Sequence, residues 1–375
     1  MRILIMVSKL TGGGAERVAA LWAKGFVQEG HEVGMVLSCS REVPITYEVP
    51  NNVKIYYVLR SSICNKAAYV LNHRFNVDFS FYNIHRLQRI VLNFHPDVAI
   101  GVLPPWAEWA RKACKGLNVK IINTEHNTFE RPRNAQYMPM NDELYYKKYE
   151  LNKLYSHTTV LTEADKKCVD GILNNVSVLP NPLTYEPLKT IPPKENIILA
   201  AGRLDAWYVK GFDLLIKAWG AICKSYPKWK LQIAGNYGKE GLGKMKLLAD
   251  EHRLGQQIEF IGYQDNMQPI YQRSSIFVLS SRYEGFGMVL IEAMSQACAP
   301  IACDYKGRQK EIIVSDKDGL ICPVDSVKSL ADAIEIMIKD RQFREIVQRN
   351  AIERSKAFSL DKIMDKWNKI FNDLK

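Results

Sequence analysis

The stretch Ile276-Phe277-Val278-Leu279-Ser280-Ser281-Arg282-Tyr283-Glu284-Gly285-Phe286-Gly287-Met288-Val289-Leu290-Ile291-Glu292-Ala293 changes character twice. An apolar run ends at Leu279, a loop with two glycines follows, and a helix begins near Gly287. A strand that passes through a short loop into a helix is part of a βαβ unit, and such units build parallel sheets with helices on both faces. The same alternation extends in both directions. Residues 2–8 read as a strand, 15–29 as a helix and 31–38 as a second strand. Further apolar runs fall at 97–103, 120–123, 158–161, 196–201, 229–234, 258–261 and 300–303. The predicted class is α/β, and in such folds ligands sit at the carboxyl ends of the strands.

The length of 375 residues exceeds what one hydrophobic core usually serves, so two domains are expected. The break falls in 180–193, where five prolines sustain neither a helix nor a central strand. Domains of 1–185 and 186–360 follow, each Rossmann-like. The last segment, 361–375, carries apolar residues at helical spacing.

Three loops carry chemistry. In the quoted stretch the first amides of the helix can bind phosphate oxygens. Glu292 lies four residues after Met288, one helical turn along the same face. A buried carboxylate there can take the two hydroxyls of a ribose, while Glu284 reaches sugar hydroxyls. The alternative makes Glu292 a structural carboxylate satisfied by backbone amides, because a charge in an apolar helix needs a partner in any case.

The second loop is Gly202-Arg203-Leu204-Asp205-Ala206-Trp207-Tyr208-Val209-Lys210-Gly211-Phe212-Asp213. A lysine at a helix amino end opposes the macrodipole, unless an anion lies between Arg203, Lys210 and the helix terminus. A diphosphate suits this arrangement; two solvated surface charges are the alternative. The third loop, Thr11-Gly12-Gly13-Gly14-Ala15-Glu16-Arg17, lets backbone amides approach a ligand, or serves as a tight turn. A nicotinamide-dependent oxidoreductase would also use such a loop, but the second strand ends Leu37-Ser38-Cys39-Ser40-Arg41, without the acid that holds the ribose.

Glu284 and Glu292, with seven residues between them and preceded by Gly-Arg-Leu and Lys-Gly-Phe-Asp, resemble the retaining, nucleotide-sugar-dependent glycosyltransferases of family 4. Gly-Gly-Ala-Glu-Arg-Val at the amino end, Pro180-Asn181-Pro182, and Asp318-Gly319-Leu320 with Pro323 extend the resemblance along most of the chain. It implies a GT-B fold, two Rossmann-like parallel-sheet domains facing a central cleft. The first domain would take the acceptor, the second the nucleotide-sugar donor, and the final helix would pack back on the first. Arg203 and Lys210 would bind the donor diphosphate, Glu292 the ribose and Glu284 the transferred sugar. Amides of Phe286, Gly287, Met288 and Val289 would hold phosphate or sugar, and Gly262 and Tyr263 would line the nucleobase pocket. Gly13 and Gly14 would face the diphosphate, and His126, in Asn123-Thr124-Glu125-His126-Asn127, would lie beside the transferred sugar. A loop histidine satisfied by its neighbours is the ordinary alternative. Two departures bear on the donor. The 202–210 loop is longer than is common in the family, with Trp207 and Tyr208 able to reshape the pocket. Lys306 and Arg308 add charge to a loop that otherwise reads as solvated.

Neither metal nor cofactor is expected. The sole Asp-x-Asp, Asp316-Lys317-Asp318, precedes a glycine turn, and in this fold type basic side chains and helix ends neutralise the leaving diphosphate. The eight cysteines include no Cys-x-x-Cys pair and read as reduced thiols. With 51 basic and 40 acidic residues, the net charge of +11 attracts anions. The surplus is shared between the halves (22 against 16 before residue 186, 29 against 24 after), which speaks against nucleic acid.

No apolar run reaches the roughly 18 residues of a membrane span, and the opening run is too short for a signal peptide, so a cytosolic location is expected. Between residues 60 and 94, Arg60, Lys66, Arg74, Arg86 and Arg89 are interleaved with Tyr69, Phe75, Phe79, Phe81, Tyr82 and Phe94, with Asp78 the one acid. This segment reads either as a face for an anionic membrane surface or as a helix pair with its aromatic side in the core. The first reading would place the chain at the inner face of the membrane, with a lipid-linked saccharide as acceptor. The expected function is transfer of a hexose or N-acetylhexosamine from a UDP-sugar, or a GDP-sugar, to a saccharide or glycolipid in surface polysaccharide biosynthesis. A non-catalytic nucleotide-sugar-binding protein on the same scaffold is the remaining alternative.

Overall fold

The computed structural model describes residues 1–59, 80–103, 105–131, 133, 139–236, 238–314 and 316–374, without the side chains of Ser80, Phe81 and Lys239. Much of the basic-aromatic segment, from Arg60 to Phe79, therefore lies outside the described residues, as does Cys64. The chain divides into two compact units, Met1–Pro182 with Leu360–Lys375, and Leu183–Ser359.

The first unit holds strands β1 (Arg2–Val7), β2 (Glu32–Leu37), β3 (Lys54–Tyr57), β4 (Val98–Val102), β5 (Lys120–Thr124), β6 (His157–Val160) and β7 (Val176–Val178). Their order is β3-β2-β1-β4-β5-β6-β7, and every pairing is parallel. β1 and β4 are buried on both faces, which is why they read as continuous apolar runs. Helix Gly14–Gln28 packs on helix Leu360–Asp373, within the same unit. Trp22 meets Trp367 edge-on at 5.1 Å, and Phe26 meets it at 5.4 Å. A side chain at Gly25 would place its Cβ 2.5 Å from Met364 Sδ, so this glycine permits the close helix approach.

The second unit holds β8 (Glu195–Ala201), β9 (Lys230–Ala234), β10 (Ile258–Gly262), β11 (Ser274–Leu279), β12 (Ala299–Asp304) and β13 (Leu320–Pro323). Their order is β10-β9-β8-β11-β12-β13, again all parallel. Ile198, Leu215, Trp219, Ile276 and Val278 are fully or almost fully buried in its core. Both sheets reverse their strand order beside the first strand, at β1/β4 and at β8/β11. That reversal splays the connecting helices to opposite faces and leaves a crevice at the strand ends, where ligands of doubly wound sheets bind. Among the described residues no helix is long and apolar enough to cross a membrane.

Candidate active site

β8 and β11 are neighbours at the reversal point of the second sheet, so the loops that follow them meet. Gly211 lies at φ +63°, and a Cβ there would come 1.9 Å from the Ser280 carbonyl oxygen. The Ser280 hydroxyl donates to the Lys210 carbonyl at 2.9 Å. The loops are sewn together at a position only glycine can occupy. This brings Lys210 Nζ within 2.8 Å of Glu284 Oε2, an oxygen that also accepts from the Ser281 hydroxyl at 3.2 Å. The pair remains reachable, with side chains 23% and 14% exposed. Beside it Gly287, at φ +93°, starts helix Met288–Ser295, and no side chain caps that end. Its first amides, at Met288 and Val289, therefore lie beside a lysine and a loop carboxylate.

Arg282 organises the two loops, and sequence reasoning missed it. Its guanidinium is bidentate to Asp213, at 2.6 and 2.8 Å, bonds Asp325, and donates to the Tyr208 carbonyl at 2.8 Å. Its amide donates to the Val209 carbonyl at 2.8 Å, and the Tyr208 ring lies 4.0 Å beneath the guanidinium. Burial alone would lower this pKa; Asp213 and Asp325 outweigh it and hold it above its ordinary value. An arginine two residues before a loop carboxylate, with an Asp two residues after a helix-opening glycine, was the available signal. The same contacts show where the extra residues of the 202–210 loop go. Trp207 packs on the core and Tyr208 lies under Arg282.

Glu292 is 4% exposed, and two side-chain hydroxyls are among its partners. Thr184 donates to Oε1 at 2.6 Å and Tyr271 to Oε2 at 3.0 Å. Burial and this carboxylate both push the Tyr271 phenol far above its ordinary pKa, so it remains a donor. Arg203 is exposed, with no side-chain bond among the described residues. Gly262 ends β10, two strands and so about 10 Å across the sheet from β8, and the 60% exposed Tyr263 follows it. Gly262 lies at φ +76° and accepts from the Gly235 amide at 2.9 Å. The loop after β12 corrects one expectation: Arg308 is fully buried, 5.2 Å from the Tyr305 ring, and is not solvated. Lys306 is exposed. Asp318 accepts from the Val314 amide, so the Asp-x-Asp pair is part of a turn. Among the described residues no three His, Cys, Asp or Glu side chains cluster as a metal site.

In the first unit the glycine loop follows β1, and Tyr47 donates to the Gly13 carbonyl at 3.0 Å. A Cβ at Gly13 would lie 1.8 Å from Glu16 Oε2, so the absent side chain leaves room for that carboxylate. Gly14 opens helix Gly14–Gln28. His126 follows β5. Its Nδ1 lies 3.2 Å from Asn181 Oδ1, its Nε2 lies 3.1 Å from the Thr124 hydroxyl, and its ring is 5.4 Å from Trp22. Burial pushes its pKa down to about 4 against the opposing pull of Glu125 and Asn181, so the ring is neutral at pH 7. One ring proton on Nδ1 is donated to Asn181. The Pro-Asn-Pro motif and the His126 loop, separate in the sequence, are thus one constellation.

Next to it Lys148 Nζ lies 3.1 Å from Glu125 Oε2 and 3.0 Å from the Thr128 carbonyl, with both side chains almost fully buried. Asn123 donates to Glu125 at 3.1 Å and to Asn152 at 2.8 Å. This network, invisible to spacing arguments, holds the His126 loop.

Residues 12–184 match the family model described as Glycosyltransferase Family 4, and residues 185–354 match Glycosyl transferases group 1. The chain belongs to the family 4 glycosyltransferases. A relative in Campylobacter jejuni, "GalNAc-alpha-(1->4)-GalNAc-alpha-(1->3)-diNAcBac-PP-undecaprenol alpha-1,4-N-acetyl-D-galactosaminyltransferase", is 26% identical, covering 100% of this chain and 99% of the relative. Among solved structures, a sucrose-phosphate synthase from Thermosynechococcus elongatus has a TM-score of 0.82 at 17% identity, covering 100% of this chain and 98% of the other. A point mutant of S. aureus TarM in complex with fondaparinux, alpha-GlcNAc-glycerol and UDP has a TM-score of 0.78 at 15% identity, over 99% of each chain. At these identities the structural likenesses establish the fold, which is GT-B. The family 4 glycosyltransferase described here therefore carries two Rossmann-like parallel-sheet units and transfers sugar.

Proposed function

We propose that this family 4 glycosyltransferase moves an N-acetylhexosamine or hexose from a UDP-sugar to a lipid-linked saccharide, with retention of configuration and without a metal ion. The observation that carries the reading is the reachable Lys210–Glu284 pair beside the uncapped helix end at Gly287. A diphosphate offers more negative oxygen than one carboxylate, so it competes with Glu284 for the Lys210 ammonium, while the amides of Met288 and Val289 donate to further phosphate oxygens. Arg203 supplies a second cation and Glu284, released, accepts from sugar hydroxyls. Glu292 exchanges the Thr184 and Tyr271 hydroxyls for those of the ribose, and Gly262 and Tyr263 border the base.

The acceptor hydroxyl attacks the anomeric carbon on the face from which the diphosphate leaves. The carbon–oxygen bond to the β-phosphate breaks as the new glycosidic bond forms, and the departing phosphate oxygen takes the acceptor proton. Lys210, Arg203 and the helix amides stabilise the charge that develops on the leaving group. The activity named for the Campylobacter relative, an N-acetylgalactosaminyl transfer to a diphospho-undecaprenol-linked saccharide, and the UDP bound to TarM support this choice of acceptor and nucleotide.

A melting-temperature screen against UDP- and GDP-sugars, followed by transfer assays with the stabilising donors, tests the reading. UDP-sugars should raise the melting temperature in proportion to occupancy. Stabilisation by GDP-sugars and not by UDP-sugars would overturn the choice of nucleotide. Tight donor binding with no product across an acceptor panel would return the binding-protein alternative.

A further inference from the structure

The second unit has a cavity of about 570 Å³ whose charged lining residues are Lys194, Arg341, Arg344, Arg349 and a single acid, Glu345. It lies where β8 and β11 begin, whereas the Lys210 and Glu284 loops follow their ends. β8 has seven residues, so a strand length of about 20 Å separates the two places. Arg344 is 8% exposed. Its Nη1 donates to the Met337 and Ile338 carbonyls, in the last turn of helix Val327–Lys339, and its guanidinium lies 5.2 Å from the Trp229 ring. Nε and Nη2 make no hydrogen bond among the described residues, yet neither is closed to solvent, and the cavity that Arg344 lines is their opening. Lys194 Nζ donates to the Gln296 carbonyl at 2.8 Å, just past helix Met288–Ser295, and to the Tyr271 carbonyl at 3.2 Å. Among the described residues neither Lys194 nor Arg344 forms an ion pair; the one acid pairs with Arg341 at 2.8 Å.

Helix carbonyl ends explain why cations stand here, but not how many. Each carries about half a negative charge, so two of them offset about one of the four cations, and Glu345 offsets a second. About two positive charges remain on one cavity, with Arg344 almost wholly and Lys194 partly buried, where an unpaired charge is costly. Burial and the neighbouring Arg341 pull the Arg344 pKa below its ordinary value, and burial does the same to Lys194. Arg341 and Arg344 also stand in the opening turn of helix Arg341–Ser355, whose dipole favours an anion. That turn contains no acid, and the Asp340 side chain before it is taken up by the Phe343 amide. We infer that this cavity binds the phosphate or diphosphate of a soluble phosphorylated ligand, at a site separate from the Lys210 loop. Phosphate oxygens accept from cations on several sides at once, whereas a carboxylate meets a single fork. Arg344 lies inside a recess, which a free anion enters and a flat bilayer surface does not. The inference stands on these cations alone and survives if the donor reading fails.

Calorimetric titration of the full chain with pyrophosphate tests it, using wild type, the Arg341→Gln/Arg349→Gln double variant and Lys210→Ala. Both arginines are exposed, so the double variant should fold. It should weaken a pyrophosphate-binding component by about tenfold or more, while Lys210→Ala leaves that component within about twofold. Malonate, a dicarboxylate, should bind there at least about tenfold more weakly than pyrophosphate. Should the double variant fail to fold, Lys194→Gln, which keeps a hydrogen-bond donor and removes the charge, is expected to weaken the same component. Pyrophosphate binding that is absent, that is unchanged in the double variant, or that Lys210→Ala alone abolishes would overturn the proposal. Flotation with phosphatidylglycerol vesicles checks the source: binding that depends on Arg341 and Arg349 would overturn the assignment to a soluble ligand.

Discussion

Two lysine–glutamate pairs of similar length stand just beyond parallel strands in this chain, and their surroundings give them opposite character. Lys148–Glu125 follows β5, spans 3.1 Å and is sealed, with side chains 3% and 2% exposed. Asn123 and the Thr128 carbonyl take up further bonding positions around it. Lys210–Glu284 follows β8 and β11, spans 2.8 Å and is open to exchange, beside glycines and an uncapped helix end. Distance alone does not separate a structural pair from a functional one. What separates them is whether a competing anion can reach the lysine and whether the carboxylate has other work when displaced. The sealed pair holds the loop that carries His126; the open pair is the one that the proposed function assigns to the donor.

The comparison can be broken most sharply at the sealed pair. Lys148→Ala strands the Glu125 carboxylate in the interior and should cost about 3 to 5 kcal/mol in chemical denaturation. Replacing both partners, Glu125→Leu with Lys148→Met, should recover at least half of that loss, because no charge is then left buried. A double variant as unstable as the single one would show that the cost is not electrostatic.

The next effect concerns His126. Its pKa is 6.5 when unfolded and about 4 when folded, so between these values the unfolded chain binds more protons. Stability therefore rises with pH across that window and is lost as pH falls through it, by about 2 to 3 kcal/mol for this group. His126→Gln should flatten the pH 4 to 6.5 slope, with His31 and His157, also lowered by burial, leaving a smaller residual slope. An unchanged slope would mean that the ring is not buried neutral.

A smaller effect is expected at Arg282→Lys, which keeps the charge and loses the two-pronged bond to Asp213. Unfolding free energy should fall by about 1.5 kcal/mol, and turnover by roughly tenfold as the Lys210 loop loosens against Glu284. Full turnover at reduced stability would confine Arg282 to a structural role.

Most of the fold was legible because the central strands are buried on both faces and bounded by glycine or polar loops. β3, β7 and β13 were not, being edge strands of three or four residues with partly exposed side chains. Lys54-Ile55-Tyr56-Tyr57 is too short for its periodicity to exclude a loop. The Lys210 and Glu284 loops were legible from glycines beside charges at strand ends. Arg282 was not, because its partners Asp213 and Asp325 are 69 and 43 residues away, and only the adjacency of β8 and β11 brings the loops together. The Thr184 and Tyr271 hydroxyls on Glu292 were hidden for the same reason, since long-range pairing leaves no periodic trace.

The central claim is that Lys210 and Glu284 form an exchangeable pair whose lysine receives a nucleotide-sugar diphosphate. Calorimetric titration of wild type and Lys210→Ala with UDP-N-acetylhexosamine tests it most directly, with melting temperatures measured alongside. The variant should bind roughly 100-fold more weakly, matching the loss of one charge-stabilising group. Its stability should fall by no more than about 1 kcal/mol, since the pair is partly solvated. Unchanged affinity in a folded Lys210→Ala protein would contradict the account.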